Sequence, residues 1–234
     1  MSTPAQPLIT LRSLTKIYGK GDAAFLALRG IDLDVAKGEF LAIMGPSGSG
    51  KSTLMNLLGC LDTPSAGSYL YDHIAVESLS SDQRSILRRH AFGFIFQGFN
   101  LLARTSALEN VELPLLYRGM SRSDRRDASA AALTAVGLGN RTASTPAELS
   151  GGQQQRVAIA RAIVTNPSTL FADEPTGNLD SRTTSEIMDL LRNLNEARGI
   201  TILMVTHEDD VATCARRTVC VRDGLIESDL RTRP

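Results

Sequence analysis

The chain has 234 residues, with 25 Lys plus Arg balanced by 25 Asp plus Glu, so its formal net charge is zero. Hydrophobic residues make up 42% and charged residues 21%, which supports a packed core and excludes a disordered chain. The length suits one α/β domain with a subdomain, and the charge balance lacks the basic excess of a general phosphate-backbone binder, so no nucleic-acid partner is expected. The opening MSTPAQPLIT has neither the basic nor the apolar region of a secretory signal. The apolar runs fall far short of the ~18 residues that cross a bilayer. Cys60, Cys214 and Cys220 form no CxxC pair and read as core thiols of a reducing cytoplasm.

In chain order, 8–14 reads as a strand. Residues 31–35 alternate Ile, Asp, Leu, Asp, Val, the pattern of a half-buried strand. A continuous apolar run at 40–44 leads into glycines, and 69–76 reads as a further strand. Short strands, some antiparallel, therefore fill the first third. The middle is richer in helices, at 81–90, 106–116 and 121–136, with an aromatic strand at 92–96. The last of these helices opens on Ser121 with Asp124 three residues on, and Gly137 and Gly139 end it. From Ser150 the alternation is regular: helix 152–164, strand 170–172, helix 181–198, strand 200–206. Ile187, Leu190, Leu191 and Leu194 share one face of the longer helix, and Gly199 stops it. Residues 218–221 and 225–226 flank Asp223-Gly224 as a terminal hairpin. Helices alternating with buried strands imply a parallel sheet, with the helix-rich middle inserted.

Three strings carry chemistry. Gly45-Pro46-Ser47-Gly48-Ser49-Gly50-Lys51-Ser52-Thr53 fits GxxxxGK[ST] between a predicted strand and a predicted helix. Its glycines let backbone N–H groups face a phosphate, the helix start favours an anion, Lys51 reaches the β- and γ-phosphates, and Ser52 ligates Mg²⁺. A Gly-rich turn with a chance Lys is the plain alternative, and the flanking elements argue against it. In 169–174 an apolar strand ends on two carboxylates: Asp173 is placed to hold Mg²⁺ through water and Glu174 to act as base toward the attacking water. Alone, that pair reads equally as an exposed acidic strand end. Leu149-Ser150-Gly151-Gly152-Gln153 opens another helix and makes a second anion site, without a Lys or metal ligands of its own.

With these three strings in one chain, in the order 45–53, 149–153 and 169–174, the sequence resembles the ATP-binding subunit of an ABC transporter over about residues 8–227. The resemblance implies an α/β P-loop NTPase (ABC ATPase) fold within a single domain, 1–234. Its core would have a parallel sheet and an N-terminal antiparallel β subdomain, together about 8–96 and 150–227. An inserted helical subdomain would occupy about 97–149. It implies an Mg-dependent ATPase that binds ATP, with Tyr18 stacking on adenine and Gln97 touching Mg²⁺ and water while sensing a membrane partner. His207 would contact the γ-phosphate, and the stretch from Gly177 to Asp180 would cross to a second copy of the chain. In that head-to-tail homodimer Ser150, Gly152 and Gln153 complete the partner's site. Glu174, His207, Gln97 and Lys51 would be the catalytic set, with Ser52, Gln97 and Asp173 on the metal. An Asn-Lys-x-Asp string for guanine is absent, and LSGGQ with His207 disfavours a P-loop kinase or GTPase.

Stretches 54–62, 92–102, 107–116 and 175–180 resemble the macrolide-export and lipoprotein-release branch. With the chain ending at Pro234, a membrane permease is expected as a separate subunit, with this one peripheral on the cytoplasmic face of the cell membrane. A non-transport switch acting on an extracytoplasmic enzyme is the alternative. Near Tyr71-Asp72-His73 the chain departs from the family, which usually has a hairpin glycine there; Asp and His tolerate positive φ. His73 and His90 match no motif and read as surface or packing residues. Arg84, Arg88, Arg89, Arg118, Arg122, Arg125 and Arg126 read as a solvated helical face, or else as a contact for the membrane partner or anionic headgroups.

Overall fold

A computed structural model describes residues 7–231; the opening six residues and Pro234, on which two expectations above rest, lie outside the described residues. Strand β1 (Ile9–Tyr18) pairs antiparallel with β2 (Phe25–Val35) and with β4 (Ala66–Tyr71), and the short β5 (Ile74–Ala75) completes this four-stranded sheet in the order β2-β1-β4-β5. The alternation in β2 buries Ile31, Leu33 and Val35 and leaves Asp32 and Asp34 outside. Both β1 and β2 are longer than predicted. Irregular register between Leu11 and Lys16, with Ser13 at a φ of 47°, breaks the alternation that marks a strand in sequence. The single strand predicted over 69–76 is instead a hairpin. Asp72 and His73 take φ of 45° and 67° at its turn, so the two residues standing without a glycine do adopt the left-handed conformation that a tight hairpin needs. His73 and His90 are both exposed.

The second sheet has the order β10-β9-β3-β8-β7-β6, built from β3 (Phe40–Met44), β6 (Phe92–Phe96), β7 (Thr169–Asp173), β8 (Thr201–Val205), β9 (Arg217–Arg222) and β10 (Leu225–Arg231). All its pairings are parallel except β9 with β10, which form the expected hairpin at Asp223-Gly224. Because side chains alternate across a strand, β3 sends Phe40 and Ala42 into one core and Leu41 and Ile43 into another. The first core lies against α3 (Ala107–Tyr117), α4 (Arg122–Ala135), α5 (Gly151–Ile163) and α6 (Ser181–Arg198). The second lies against the antiparallel sheet and α1 (Lys51–Leu58). Two-sided burial is why these strands read as continuous apolar runs. Helix α2 (Ser81–Ala91) precedes β6, and the unpredicted α7 (Asp209–Ala212), too short for a periodic signal, follows β8.

Helix starts are fixed locally. Ser80, Ser106 and Ser150 form capping boxes with Gln83, Glu109 and Gln153, and Ser121 accepts the Asp124 N–H. Of the cysteines, Cys60 is buried, which pushes its thiol up to about 11; Cys214 and Cys220 are only half-buried, Cys214 packed against the first core and Cys220 within β9. The arginine-rich middle also departs from a freely solvated face. Arg88 donates to Cys60 O, Arg118 to the Arg89 and His90 carbonyls, and Arg125 to Met120 O, whereas Arg89, Arg122 and Arg126 stay exposed.

Arg217 fastens the outer strands. Its guanidinium makes paired contacts of 2.6 Å to both Asp229 carboxylate oxygens, reaches Glu39 at 3.1 Å and donates to Asp34 O at 2.7 Å. Hydrogen bonding to Arg217 holds the Asp229 carboxyl below its ordinary range. A depressed native pKa contributes stability above the unfolded value of about 3.9 and loses it as pH falls through the native value. Asp229→Asn is therefore expected to lower the thermal midpoint at neutral pH and to flatten its decline between about pH 5 and 3 relative to the parent. Parallel melting curves for the two proteins across that range would contradict this.

Candidate functional site

The apolar run of β3 ends at Met44, and the chain wraps from Gly45 to Gly50 before entering α1. Gly45, Gly48 and Gly50 take φ of 141°, 78° and 107°. The loop is also pressed against its neighbours: a Cβ on Gly45 would stand 2.0 Å from Val221 O, and one on Gly50 2.8 Å from Ala27 O. The β9–β10 turn clamps it from outside through Gly224 N–H to Ser49 O at 2.9 Å. Backbone rather than side chain therefore lines the loop, as a cradle for an anion requires.

Helix α1 starts without a side-chain cap and without an acidic residue in its first turn, so its positive end is left uncompensated. Lys51 Nζ donates to the Gly45 and Pro46 carbonyls at 2.8 Å each. An ammonium has three donors, so one remains for a ligand oxygen. Ser49 Oγ is buried and, among the described residues, has no hydrogen-bond partner, as expected of a hydroxyl reserved for a ligand. Ser47 and Ser52 are exposed and Thr53 is half-buried.

Next to this loop the carboxyl ends of β7 and β8 deliver the acidic and histidine groups. Asp173 closes β7; burial, and then the adjacent Glu174, raise its pKa, while Lys51 opposes them. Glu174 has a φ of 45°, with its N–H on Val205 O at 2.9 Å, a backbone conformation rare for this residue type. Its Oε1 lies 3.0 Å from His207 Nδ1. Gln97, just past β6, converges on the same point. A Cβ on Gly177 would meet Gln97 Nε2 at 2.7 Å and Glu174 Oε2 at 3.4 Å. Ser52, Asp173 and Gln97 offer oxygen donors, which fit a hard divalent cation. Among the described residues no group of at least three His, Cys, Asp or Glu makes a metal cage.

Ser150, Gly151, Gly152 and Gln153 form the other anion-ready helix start. Ser150 Oγ accepts Gln153 N–H at 3.3 Å and Gln153 Oε1 accepts Ser150 N–H at 3.0 Å, which leaves the Gly151 and Gly152 N–H groups as the open donors. The glycines also allow close packing: a Cβ on Gly152 would stand 2.4 Å from Thr183 Cγ2. Among the described residues no hydrogen bond or ion pair joins this turn to the phosphate loop. Asp180 caps α6, accepting Thr183 N–H at 3.0 Å and Thr183 Oγ1–H at 2.7 Å. Tyr18 ends β1 half-exposed, its hydroxyl donating to Asp62 Oδ2 at 2.9 Å.

Further contacts tie these elements together. Gln155 is fully buried and donates to Pro175 O at 2.6 Å, tying the Ser150 helix to the turn after Glu174. Asn178 donates to Gln97 O at 3.0 Å. Arg161 donates to Phe99 O at 2.8 Å and holds the segment after Gln97, where Phe99 and Asn100 take left-handed φ of 59° and 49°. That segment borders a groove of about 660 Å³ lined in part by Leu61, Arg88, Phe94, Tyr117 and Arg161.

A glycine cradle with a lysine at a helix start, beside an acidic strand end, defines a P-loop nucleotide-binding protein. The family described as ABC transporter matches residues 28–177, and the chain belongs to that family. Its fold is that of the family's ATPase cassettes. It superposes with a TM-score of 0.89 and 44% identity on the dimeric post-hydrolysis state of the ATP-binding cassette MJ0796 bound to ADP and Pi, covering 97% of this chain and 99% of that one. The cbiO1 protein of Clostridium perfringens, part of the ABC transporter complex cbiONQ, matches with a TM-score of 0.86 and 30% identity over 97% of this chain and 89% of that one. Among curated relatives, the macrolide export ATP-binding/permease protein MacB of Syntrophobacter fumaroxidans is 54% identical over 95% of this chain and 31% of its own length. The pyoverdine export ATP-binding/permease protein PvdT of Pseudomonas savastanoi is 51% identical over 95% and 34%. The chain thus spans about a third of the length of the curated relatives it matches.

Gly45→Ala places a methyl group against a main-chain oxygen at a φ of 141°. The expected outcome is a folded but less stable protein, by about 1–3 kcal/mol, that no longer binds nucleotide. Unchanged ADP affinity in a calorimetric titration would contradict the close-packed loop.

Proposed function

We propose that the chain is the ATP-hydrolysing cassette of a membrane exporter, and that two copies close head to tail around ATP to drive a permease. The observation that carries this reading is the pair of anion-ready helix starts in one chain, of which only the Lys51 start has a lysine and metal-binding groups beside it. A second copy supplies the other half: Ser150, Gly151, Gly152 and Gln153 of one copy face the γ-phosphate bound at Gly45 to Thr53 of the other. The γ-phosphate then bridges two positive helix ends, and its release removes the bridge. The exporter names of the relatives, and the ADP- and Pi-bound dimer of the structural neighbour, support this reading over a non-transport switch.

In this account Tyr18 receives the adenine, and Lys51 and the loop amides hold the phosphates. Ser52, Gln97 and Asp173 would hold Mg²⁺, which would neutralise phosphate charge. Glu174 takes the proton from the attacking water as its oxygen bonds to the γ-phosphorus and the bond to the β–γ bridging oxygen breaks, leaving ADP and phosphate. His207 orients Glu174 through the 3.0 Å contact and meets the γ-phosphate. Asp180 and its neighbours reach the second copy. Residues 97–149 act as the helical subdomain, the groove beside Gln97 takes a segment of the permease, and the cassette sits on the cytoplasmic face of the membrane. Among the described residues no helix is long and apolar enough to cross a membrane.

Glu174→Gln is expected to cut phosphate release about 10²–10⁴-fold while leaving ATP binding intact, because the amide keeps the shape and loses the base. Affinity capture of that variant from native membranes with ATP is expected to bring down a membrane protein in stoichiometric amount. Near-parental turnover, or capture of soluble partners alone, would contradict the assignment.

A further inference from the structure

The groups around Tyr18 form a more elaborate arrangement than an exposed strand end requires. Lys16 and Tyr18 are two apart on β1 and so share a face. Lys16 is only 8% exposed, unusual for a lysine. Its Nζ lies 2.6 Å from Asp62 Oδ1, donates to Thr63 O at 2.8 Å and stands 4.8 Å from the centre of the Tyr18 ring. The other Asp62 oxygen accepts the Tyr18 hydroxyl at 2.9 Å. One carboxylate therefore holds both the ring's tip and the cation over its face. Asp62 is in turn anchored to α1, its N–H and that of Leu61 bonding Asn56 O at 3.2 and 2.8 Å.

We infer that Lys16 and Asp62 are positioning residues that set the plane of the Tyr18 ring and leave one ring face open to a purine base. This rests on the reading above that Tyr18 receives the adenine. The ammonium covers one face by a cation–π contact, so a base must approach from the other. The Asp62 bond fixes the ring's rotation. Because Asp62 hangs from α1, the helix that begins at the phosphate loop, the ring and the phosphate cradle are held in register by one element. Base and phosphates of a single nucleotide then meet both at once, and the ordering cost of the aromatic is met before binding.

A base-less ligand separates this role from a structural one. ADP and inorganic pyrophosphate, each with Mg²⁺, are titrated calorimetrically into the parent and into Tyr18→Ala, Lys16→Met, Asp62→Ala and the Tyr18→Ala/Lys16→Met double variant. ADP affinity is expected to fall about 5- to 100-fold in Tyr18→Ala, from loss of one base–aromatic stack. The fall expected in Lys16→Met and Asp62→Ala is about three- to tenfold, from loss of the cation–π and charge-assisted contacts. Pyrophosphate affinity stays at the parental value throughout. In the Tyr18→Ala background, Lys16→Met adds no further loss, since the residue acts only through the ring. Equal losses for ADP and pyrophosphate would overturn the inference by making the pair a folding element, as would a Lys16→Met effect that persists undiminished without Tyr18. If Tyr18→Ala itself leaves ADP affinity unchanged, the adenine assignment fails first and the clamp fails with it.

Discussion

A polyphosphate anion needs a site that is positive, rigid and free of competing side chains, and here main-chain geometry provides it. The amides of the Gly45–Gly50 loop, the uncapped start of α1 and the Lys51 ammonium converge, and the loop is too closely packed against β9 and β2 to tolerate added carbons at Gly45 or Gly50. The sheet order follows from serving this point. β3 feeds the loop, its neighbours β8 and β9 lie on either side, and β7 lies next to β8. Parallel strands then deliver Asp173, Glu174 and His207 at the same carboxyl edge, the edge where open α/β sheets gather their ligands.

The second anion-ready helix start is tied to this edge through few bonds. Gln155 joins the Ser150 helix to Pro175, directly after Glu174. Asn178 joins the turn after β7 to the Gln97 carbonyl, and Arg161 holds Phe99 on the far side. Under the head-to-tail reading, each copy thus links the helix that serves its partner's nucleotide to the carboxylate that serves its own.

What was legible in the sequence had a local cause. The strands 40–44 and 92–96 and the helix 181–198 agree with the structure because buried parallel strands are continuous apolar runs, and because Ser, Asp and Gly mark helix ends. The 45–53 and 149–153 strings were readable because anion binding by backbone demands glycine at particular places. What escaped had a tertiary cause. The irregular register of β1 hid its full length, and the turn at Asp72-His73 lacks the glycine that would have announced it. Lys16, Asp62, Gln155 and Arg161 bear on the site through partners 20 to 62 residues away, a relation no spacing rule encodes. The carbonyl partners of Arg88 and Arg118 are visible only in the fold, so from sequence the arginines of the middle region read as a solvated face or a membrane-partner contact.

Under the head-to-tail reading, nucleotide completes a site shared by two copies, with the γ-phosphate as the bridge. The direct measurement is sedimentation of the Glu174→Gln chain with Mg²⁺ and saturating ATP, against the same protein with ADP and against a Ser150→Arg derivative with ATP. The account requires a dimer with ATP in the Glu174→Gln chain and a monomer in the two controls. A monomer with ATP demonstrably bound, or a dimer indifferent to nucleotide and to Ser150→Arg, would contradict it.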